Sequence, residues 1–316
     1  TLSGNNAFSG GLTIKAGTVS GTTSVNAFGT GTITIGDSSG TANATLNGGL
    51  AGTFANLITV AAVSSGTLKI TNSAASIFNG AVTLNNNLTL APTLTNLLTL
   101  KGGITGTGDL IISGTGTSAA VTLSTNPVNM TGTITNQGVN NGTTTISGGV
   151  GANVTGIIQN SITSALTIST TTLTVNSSST TLTNSSGTRV LTVSGGVIGT
   201  GDLILNNNSS TAAGITLSTT SVNNIGKITN SGTGTGTTTI SAAIGANVTG
   251  VIQNSSTSQL TLSGANTYGT TTISTGTLQI GSGSTTGSLG TGAVIDNASL
   301  VFNRSNAITV ANVISG

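Results

Sequence analysis

The chain repeats itself, and the length of the repeat limits the folds it can adopt. The segment GTTTISGGVGANVTGIIQNS at 142–161 returns as GTTTISAAIGANVTGVIQNS at 236–255. A second segment, GGITGTGDLIIS at 102–113, returns as GGVIGTGDLILN at 195–206, so the copies are about 93 residues apart. Tandem duplication on this scale is typical of repeat architectures, in which each structural unit packs against the next.

Within each block, apolar residues alternate with Thr or Ser in short runs separated by Gly, Asn and Ser. Examples are TTTIS at 143–147, ALTIS at 165–169 and DLILN at 202–206. Such runs at intervals of about 8–12 residues indicate an all-β protein. The two prolines, Pro92 and Pro127, leave backbone N–H groups free for β-ladders almost throughout.

Composition favours one β architecture over the others. Aromatic residues make up 2% of the chain and charged residues 3%, against about 25% charged residues in an ordinary soluble domain. A sandwich or closed barrel needs bulky inward residues to fill a wide core. A β-solenoid has a narrow core that Val, Ile, Leu and Ala can fill, because each turn covers the next. We therefore predict a parallel β-solenoid.

The prediction has a specific layout. Residues 1–316 form a single continuous solenoid, with repeat-like ends at 1–66 and 260–316 and tandem-duplicated central blocks at 102–194 and 195–259. Turns of roughly 20–30 residues stacked at about 4.8 Å would give a rod roughly 50–75 Å long. Outward Thr, Ser and Asn side chains keep the surface hydrated, and rows of Asn or Thr hydrogen-bond between turns.

The residues needed for most enzyme chemistry are missing. The chain has no His, Cys or Glu, and its four Asp residues are far apart in sequence. General acid–base catalysis needs a titratable group beside a partner, and glycoside hydrolysis needs paired carboxylates. We predict no enzyme activity and no catalytic, cofactor-binding or metal-binding residues. Asp109 and Asp202, which both follow Thr-Gly, are predicted to cap turns by hydrogen bonding.

Charge and hydropathy patterns bear on the partners. The six basic residues are scattered singly, so the clustered footprint of a nucleic-acid-binding protein is missing. No run of about 18 apolar residues exists that could form a transmembrane helix. The chain starts at Thr1 without a signal-like region, which suggests a processed or excised segment.

Residues 260–316 resemble a known repeat. Their distinguishing elements are the LTLSG lead, the Asn266–Tyr268 turn, Gly276, Gly281, GSLG at 287–290 and FNRSN at 302–306. These features are similar to the autotransporter-associated β-strand repeat of bacterial type V secreted passenger domains. Residues 1–66 resemble a diverged second copy, with Phe8 in the place of Tyr268 and NLITVAAVSSG at 56–66 in the place of AITVANVISG.

The resemblance implies a right-handed parallel β-helix on the bacterial cell surface, in a protein exported through an outer-membrane β-barrel. From this we expect a non-enzymatic extracellular rod with a structural or adhesive role. Solenoids normally carry caps, because an open end exposes strand edges, and none is visible in the sequence. The segment either belongs to a longer fibre or stacks head to tail with other copies, through Leu2, Phe8, Ile308 and Val310.

Two alternatives stay open. An adhesin passenger domain would use its Thr- and Asn-rich surface to bind a host or abiotic surface. An ice-binding protein would use Thr-x-Thr runs such as those at 131–135 and 143–145, although the spacing of the strands is less regular than a lattice match requires.

Overall fold

The computed structural model describes residues 1–62, 65–118, 120–139, 141–185 and 187–316. All regular secondary structure among these residues is β-strand. The strands pair in parallel and form a β-solenoid of about 13 turns. The predicted fold class is therefore confirmed. The strands form because Thr, Ile, Val and Leu alternate with period two, so that each run has one apolar and one hydroxyl-bearing face.

The chain divides into two compact units. The first contains residues 1–154 and 161–166, and the second contains residues 155–160 and 167–316. The strands of the first unit are β1 (Leu12–Ile14), β2 (Gly17–Gly21), β3 (Ile33–Ile35), β4 (Ala44–Gly48), β5 (Gly52–Phe54), β6 (Ile58–Val60), β7 (Leu68–Asn72), β8 (Ser76–Phe78), β9 (Val82–Leu84), β10 (Leu88–Pro92), β11 (Leu98–Leu100), β12 (Ile104–Gly106), β13 (Leu110–Ile112), β14 (Val121–Leu123), β15 (Gly132–Asn136) and β16 (Thr144–Ile146).

The second unit holds the remaining strands. The first two of these each begin with a residue that belongs to the first unit, Val154 and Leu166. They are β17 (Val154–Gln159), β18 (Leu166–Ile168), β19 (Leu173–Val175), β20 (Ser179–Asn184), β21 (Leu191–Val193), β22 (Val197–Gly199), β23 (Asp202–Asn207), β24 (Ile215–Leu217), β25 (Gly226–Asn230), β26 (Thr238–Ile240), β27 (Val248–Gln253), β28 (Leu260–Leu262), β29 (Thr270–Ile273), β30 (Thr277–Ser284), β31 (Val294–Asp296), β32 (Ser299–Arg304) and β33 (Ile314–Ser315).

Each unit has three sheets, which we name by the duplicated GTGDL segment. Sheet A contains the strand before this segment, β12 or β22, sheet B contains the strand after it, β13 or β23, and sheet C is the third face. In the first unit the orders are β1-β3-β6-β9-β12 in sheet A, β2-β4-β7-β10-β13-β15 in sheet B and β5-β8-β11-β14-β16 in sheet C. The chain visits the sheets in the order A, B, C.

The second unit follows the same plan. Sheet A is β19-β22 and is extended by single bridges at Val222 and Ile244. Sheet B has the order β17-β20-β23-β25-β27-β29-β31-β33, and sheet C has the order β18-β21-β24-β26-β28-β30-β32. From Asp109 to Asp202 the chain forms four turns, so the duplicated block is four turns of about 23 residues each.

The core is the narrow column between the three sheets. In β6, for example, Ile58 and Val60 are buried and Thr59 between them points outward. Three aromatic rings stack along the core of the first unit, with centroid distances of 5.0 Å between Phe28 and Phe54 and 5.3 Å between Phe54 and Phe78. Like side chains therefore lie over like in successive turns, as solenoid packing requires.

Candidate self-association edges and hydroxyl rows

The repeat found at the two ends of the sequence has one hydrogen-bonded framework in both units. In the first unit, the Asn56 side-chain amide donates to the carbonyls of Gly29 and Gly31, at 3.1 Å and 2.8 Å. In the second unit, the Asn312 amide donates to the carbonyls of Gly290 and Gly292, at 2.9 Å and 2.7 Å. The strand registers agree, since Ile33 lies opposite Ile58 and Val294 lies opposite Ile314.

This framework changes the alignment of the two copies. The structure aligns residues 56–58 with 312–314, whereas the sequence comparison placed 56–66 over 307–316. The cause is the loop after β3, at residues 36–43, which is longer than the connection between β31 and β32. Residues 52–54 are consequently the internal equivalents of residues 308–310.

Two of the predicted self-association residues lie on the first turn of the first unit. Leu2 is half-buried, and its backbone forms a parallel bridge to Gly21. Phe8 is 40% exposed, although its equivalent in the second unit, Tyr268, is fully buried at 0%. The Ile244 segment lies against the Tyr268 turn, where the Ile244 N–H donates to Asn266 Oδ1 and the Ile244 carbonyl accepts from the Thr267 N–H, and this contact helps to cover Tyr268.

The other two predicted residues lie on the last turn of the second unit. Ile308 is 37% exposed and Val310 is half-buried. They line a cavity of about 200 Å³, together with Ile280, Leu289, Phe302 and Arg304. Among the described residues no strand is paired with residues 308–310.

Sequence reasoning missed three further apolar residues at these edges. In β1, Leu12 is half-buried and Ile14 is buried at 2% exposed, and Ile314 of β33 is 46% exposed. The period-two pattern of GLTIK at 11–15 and NVIS at 312–315 is the signal that could have identified them.

Arg304 fixes the last turn in place. Its Nη1 donates to the Gly287 carbonyl at 2.6 Å, its Nη2 donates to the Thr285 carbonyl, and its Nε donates to Asn306 Oδ1 at 3.2 Å. Carbonyl oxygens that accept from a guanidinium form strong charge-assisted hydrogen bonds. The guanidinium thus joins the last turn to the loop after β30 in the preceding turn, and it is a structural element of the cavity wall.

Rows of hydroxyl groups run across two sheets. In sheet A of the first unit, one Thr per strand lies directly opposite the next, and the row is Thr13, Thr34, Thr59, Thr83 and Thr105. In sheet C of the second unit, a Thr row and a Ser row run side by side through Thr192, Ser194, Thr216, Ser218, Thr239, Ser241, Thr261 and Ser263.

The Thr-x-Thr runs named from the sequence do not form such an array. Thr144 is buried and points inward, so the run at 143–145 contributes Thr145 to sheet C. Thr133 and Thr135 lie on sheet B, where the outward neighbour of Thr135 in β13 is Ile111. The parity of each strand decides which hydroxyls reach the surface.

The two equivalent aspartates accept hydrogen bonds from the next turn of the solenoid, 24 and 25 residues further along the chain, which differs from capping of a local turn. Asp109 Oδ1 accepts from the backbone N–H and the hydroxyl of Thr133, at 2.7 Å and 2.9 Å, and Asp202 Oδ1 accepts from the Lys227 N–H at 2.8 Å. No group of three or more His, Cys, Asp or Glu residues that could hold a metal ion occurs in the described part of the chain. The same residues include no helix with the length and hydropathy of a membrane span.

Tyr268 is the single tyrosine of the chain and is buried in the repeat of the second unit. Its hydroxyl lies 3.0 Å from the Thr271 hydroxyl. Burial raises the pKa of the Tyr268 phenol above its usual value, and the hydrogen bonds to Thr271 and to the Gly290 backbone oppose this effect.

These features define a class of protein, a parallel β-solenoid that carries one repeat in both of its units. Residues 1–20 and 255–280 match the family model described as Passenger-associated-transport-repeat. The match confirms the resemblance to autotransporter passenger repeats, which occur in secreted or surface proteins and whose β-solenoids are commonly non-catalytic. No curated protein and no solved structure matches the chain significantly.

Proposed function

We propose that this chain is a non-enzymatic, extracellular segment of a bacterial surface passenger domain, in which it has a structural or adhesive role and stacks end to end with other copies. The observation that carries the proposal is the repeat itself, because residues 1–20 and 255–280 match the passenger-associated repeat and lie in a parallel β-solenoid. In such a solenoid each turn covers the apolar face of the next, and stacking of copies would repeat that contact.

The chemistry of the edges supports parallel stacking. An edge strand presents unpaired N–H and C=O groups, which form a template for another strand. Edge strands in natural proteins are usually blunted by charge, by Pro or by a bulge. In β1, β2 and β33 no residue is charged and none is Pro. A heterologous contact of this kind propagates into a filament.

The surface composition supports an extracellular scaffold. The described residues contain one ion pair, between Lys15 Nζ and Asp37 Oδ2 at 3.8 Å. Thr, Ser and Asn side chains hydrate the rest of the surface, so its interactions depend little on ionic strength. The family match supports a secreted or surface location, and we assign the chain to the bacterial cell surface.

Electron microscopy of negatively stained protein across a concentration series tests the proposal. We expect assemblies that lengthen with concentration. Ile308→Asp puts a charge on the edge and should prevent the particles from lengthening. Val139→Asp is the matched control, because it puts the same charge on an exposed apolar residue in a loop of the first unit. Particles of constant size at every concentration would contradict end-to-end stacking.

An adhesin is the second candidate, and the exposed apolar side chains between sheets B and C favour it. Leu94, Val139 and Ile162 lie in loops between sheets B and C of the first unit, the last two in adjacent turns, and they are largely solvent-exposed. Isolated exposed apolar residues are common, but a row of them can mark an interaction surface. This function requires that single copies bind a defined host or abiotic surface, which a glycan array and immobilised matrix proteins would measure.

Ice binding is the third candidate, supported by the hydroxyl row of sheet A. Five threonines lie opposite one another at the strand spacing of about 4.8 Å. Thermal hysteresis of the purified chain measures this activity. Thr34→Lys and Thr59→Lys should abolish it, whereas Thr216→Lys in the other unit should not, and a chain without hysteresis would eliminate this function.

A further inference from the structure

We propose that a groove beside sheet B of the first unit binds an uncharged saccharide. This inference rests on the second candidate function, the adhesin, and names its binding site and the class of its ligand. The groove has a volume of about 350 Å³, which lies at the lower end of the range for ligand pockets and accommodates a ligand of about one or two sugar rings.

The groove exists because the connections between sheets A and B change in length from one turn to the next. From the end of β6 to the start of β7 the chain advances eight residues, whereas from the end of β9 to the start of β10 it advances four. The longer connection forms one wall, at Ser65 and Thr67, and the shorter one forms the floor, at Asn87 and Thr89. This step lies inside the first unit, since β4 precedes it and β15 follows it in sheet B.

The polar side chains of the groove have groups that no other residue uses. Among the described residues, the hydroxyls of Ser65, Thr67 and Thr89 form no hydrogen bond. Asn87 Oδ1 accepts from the Asp109 N–H at 2.8 Å, which holds the amide in place, while Asn87 Nδ2 has no partner in the described part of the chain. A fixed amide donor beside three hydroxyls, which both donate and accept, matches the hydroxyl groups of a sugar.

The rest of the lining favours a sugar over an ionic or aromatic ligand. Ile111 is half-buried on the outer face of β13, directly opposite Thr89, and offers an apolar contact for the C–H groups of a sugar ring. Lys69 lies opposite Thr89 on the other side and Asp109 immediately precedes β13. These two residues carry opposite charges and neither lines the groove, so an ionic ligand meets no net charge there.

Saturation-transfer-difference NMR on the full chain measures the binding. The probes are N-acetylglucosamine, galactose and mannose, each added separately at low and at high salt. We expect at least one of them to receive saturation from the protein. The signal should not depend on ionic strength, because the ligand is uncharged and no charged residue of the described chain lines the groove.

Substitutions at Thr89 locate the binding on the groove. Thr89→Val keeps the shape of the side chain but removes a hydroxyl, so we expect the affinity to fall roughly two- to tenfold. Thr89→Arg fills the groove and should abolish binding. Thr45→Val and Thr45→Arg are the matched controls, because Thr45 faces outward from β4 of the same sheet and lies outside the groove. Circular dichroism verifies that each variant is folded.

The outcomes separate this inference from the adhesive function. If none of the three sugars binds the parent chain, or if the Thr89 variants bind as well as the Thr45 variants, the groove is not a saccharide site. Attachment of the same chain to immobilised matrix proteins would then leave the adhesin intact, whereas a chain that binds neither sugars nor matrix proteins would overturn both. End-to-end stacking, which microscopy measures, is independent of either result.

Discussion

Buried amide side chains fasten successive turns together at single residues. Asn207 is fully buried, and its Nδ2 donates to the carbonyls of Gly236 and Thr237 at 2.9 Å and 3.1 Å. Asn184 donates in the same way to the Gly214 carbonyl at 2.7 Å. Each amide donates to backbone carbonyls of the following turn, and such hydrogen bonds are the condition for burying polar side chains.

Removing one of these amides should destabilise the second unit. Asn207→Leu keeps the volume of the side chain but removes the donor to the Thr237 carbonyl and the acceptor of the Ser209 N–H, so we expect a loss of about 1–3 kcal/mol in the free energy of unfolding. Urea denaturation measures the loss. The neighbouring substitution Asn206→Ala, on the outward face of β23, should change the free energy of unfolding little.

Left-handed Thr residues are a second residue-scale feature. Thr125, Thr170 and Thr219 have φ values of 72°, 69° and 68° and follow a Ser at the end of a sheet C strand. In each case the next residue donates its N–H to that Ser carbonyl, at 2.7–2.9 Å. A β-branched residue with positive φ is strained, and a γ-turn of this hand is rare.

Relieving that strain should stabilise the protein. Thr219→Gly removes the Cβ that opposes a positive φ, and we expect a gain of about 1 kcal/mol. Thr216→Gly, three residues earlier in β24, should instead lower the free energy of unfolding by about 0.5–1 kcal/mol. Glycine relieves no strain in a strand, and it increases the conformational entropy of the unfolded chain. Thermal unfolding of the two variants gives shifts of opposite sign, and equal shifts would contradict the assignment of strain.

Tyr268 predicts a pH dependence. Because its pKa is raised in the folded state, the unfolded chain loses its phenol proton at lower pH than the folded chain does. The stability associated with this residue is therefore complete below pH about 10, the ordinary phenol pKa, and is lost as the pH rises through the folded-state pKa. In this alkaline range, the free energy of unfolding of Tyr268→Phe should fall less steeply with pH than that of the parent protein.

Ultraviolet absorbance reports the ionisation of Tyr268 alone, since Tyr268 is the single Tyr and the chain has no Trp. The tyrosinate signal should rise together with loss of β-structure in circular dichroism. Ionisation of Tyr268 at an ordinary pH in the intact fold would show that the phenol is not shielded.

At the scale of elements, close stacking of the turns depends on small residues where the chain passes from sheet C to sheet A. The Ser-Thr-Thr corner at 218–220 lies over the Ser-Gly-Gly corner at 194–196, where a Cβ on Gly196 would be 2.8 Å from Thr220 Cγ2. Gly195 in turn lies against the corner before it, and a Cβ there would be 2.2 Å from the Thr171 carbonyl oxygen. Bulky and glycine corners thus alternate.

A methyl group at such a corner should force two turns apart. For Gly195→Ala we expect a loss of about 1–3 kcal/mol, because backbone rather than a flexible side chain stands in the way. Gly10→Ala is the matched control, since nothing lies within 4 Å of a Cβ at that position. A Gly195 variant as stable as the control in urea would refute this account of corner packing.

At the scale of the whole molecule, protection from solvent is uneven within each unit. In the second unit, residues 299–316 are almost all exposed or half-buried, whereas β24 and β26 alternate between buried and half-buried side chains. Local opening costs least where few apolar groups are buried. The last turn should therefore exchange its amide hydrogens fastest.

Hydrogen exchange followed by mass spectrometry at two protein concentrations checks this gradient. Residues 299–316 and 1–21 should gain protection at the higher concentration, because docking covers them, and β24 to β26 should not change. Fast exchange at the edges that is independent of concentration would argue against self-association.

The sequence predicted the fold class well because the signal was local. Period-two runs, few aromatics and a duplicated block together specify stacked strands. Two details depended on tertiary context. Whether Thr144 or Thr145 faces water depends on where β16 starts, and the equivalence of Asn56 with Asn312 depends on which carbonyls their amides reach.

The placement of the repeat within each unit carries a last consequence, which concerns how such genes grow. In the first unit its opening strands β1 and β2 lie in sheets A and B, but in the second unit the equivalent strands β29 and β30 lie in sheets B and C. The repeat has been accommodated one third of a turn out of phase with itself. Since every face accepts the same alternation of apolar and hydroxyl side chains, recombination can add or remove single strands, and unequal crossing-over need not respect whole turns for its products to fold.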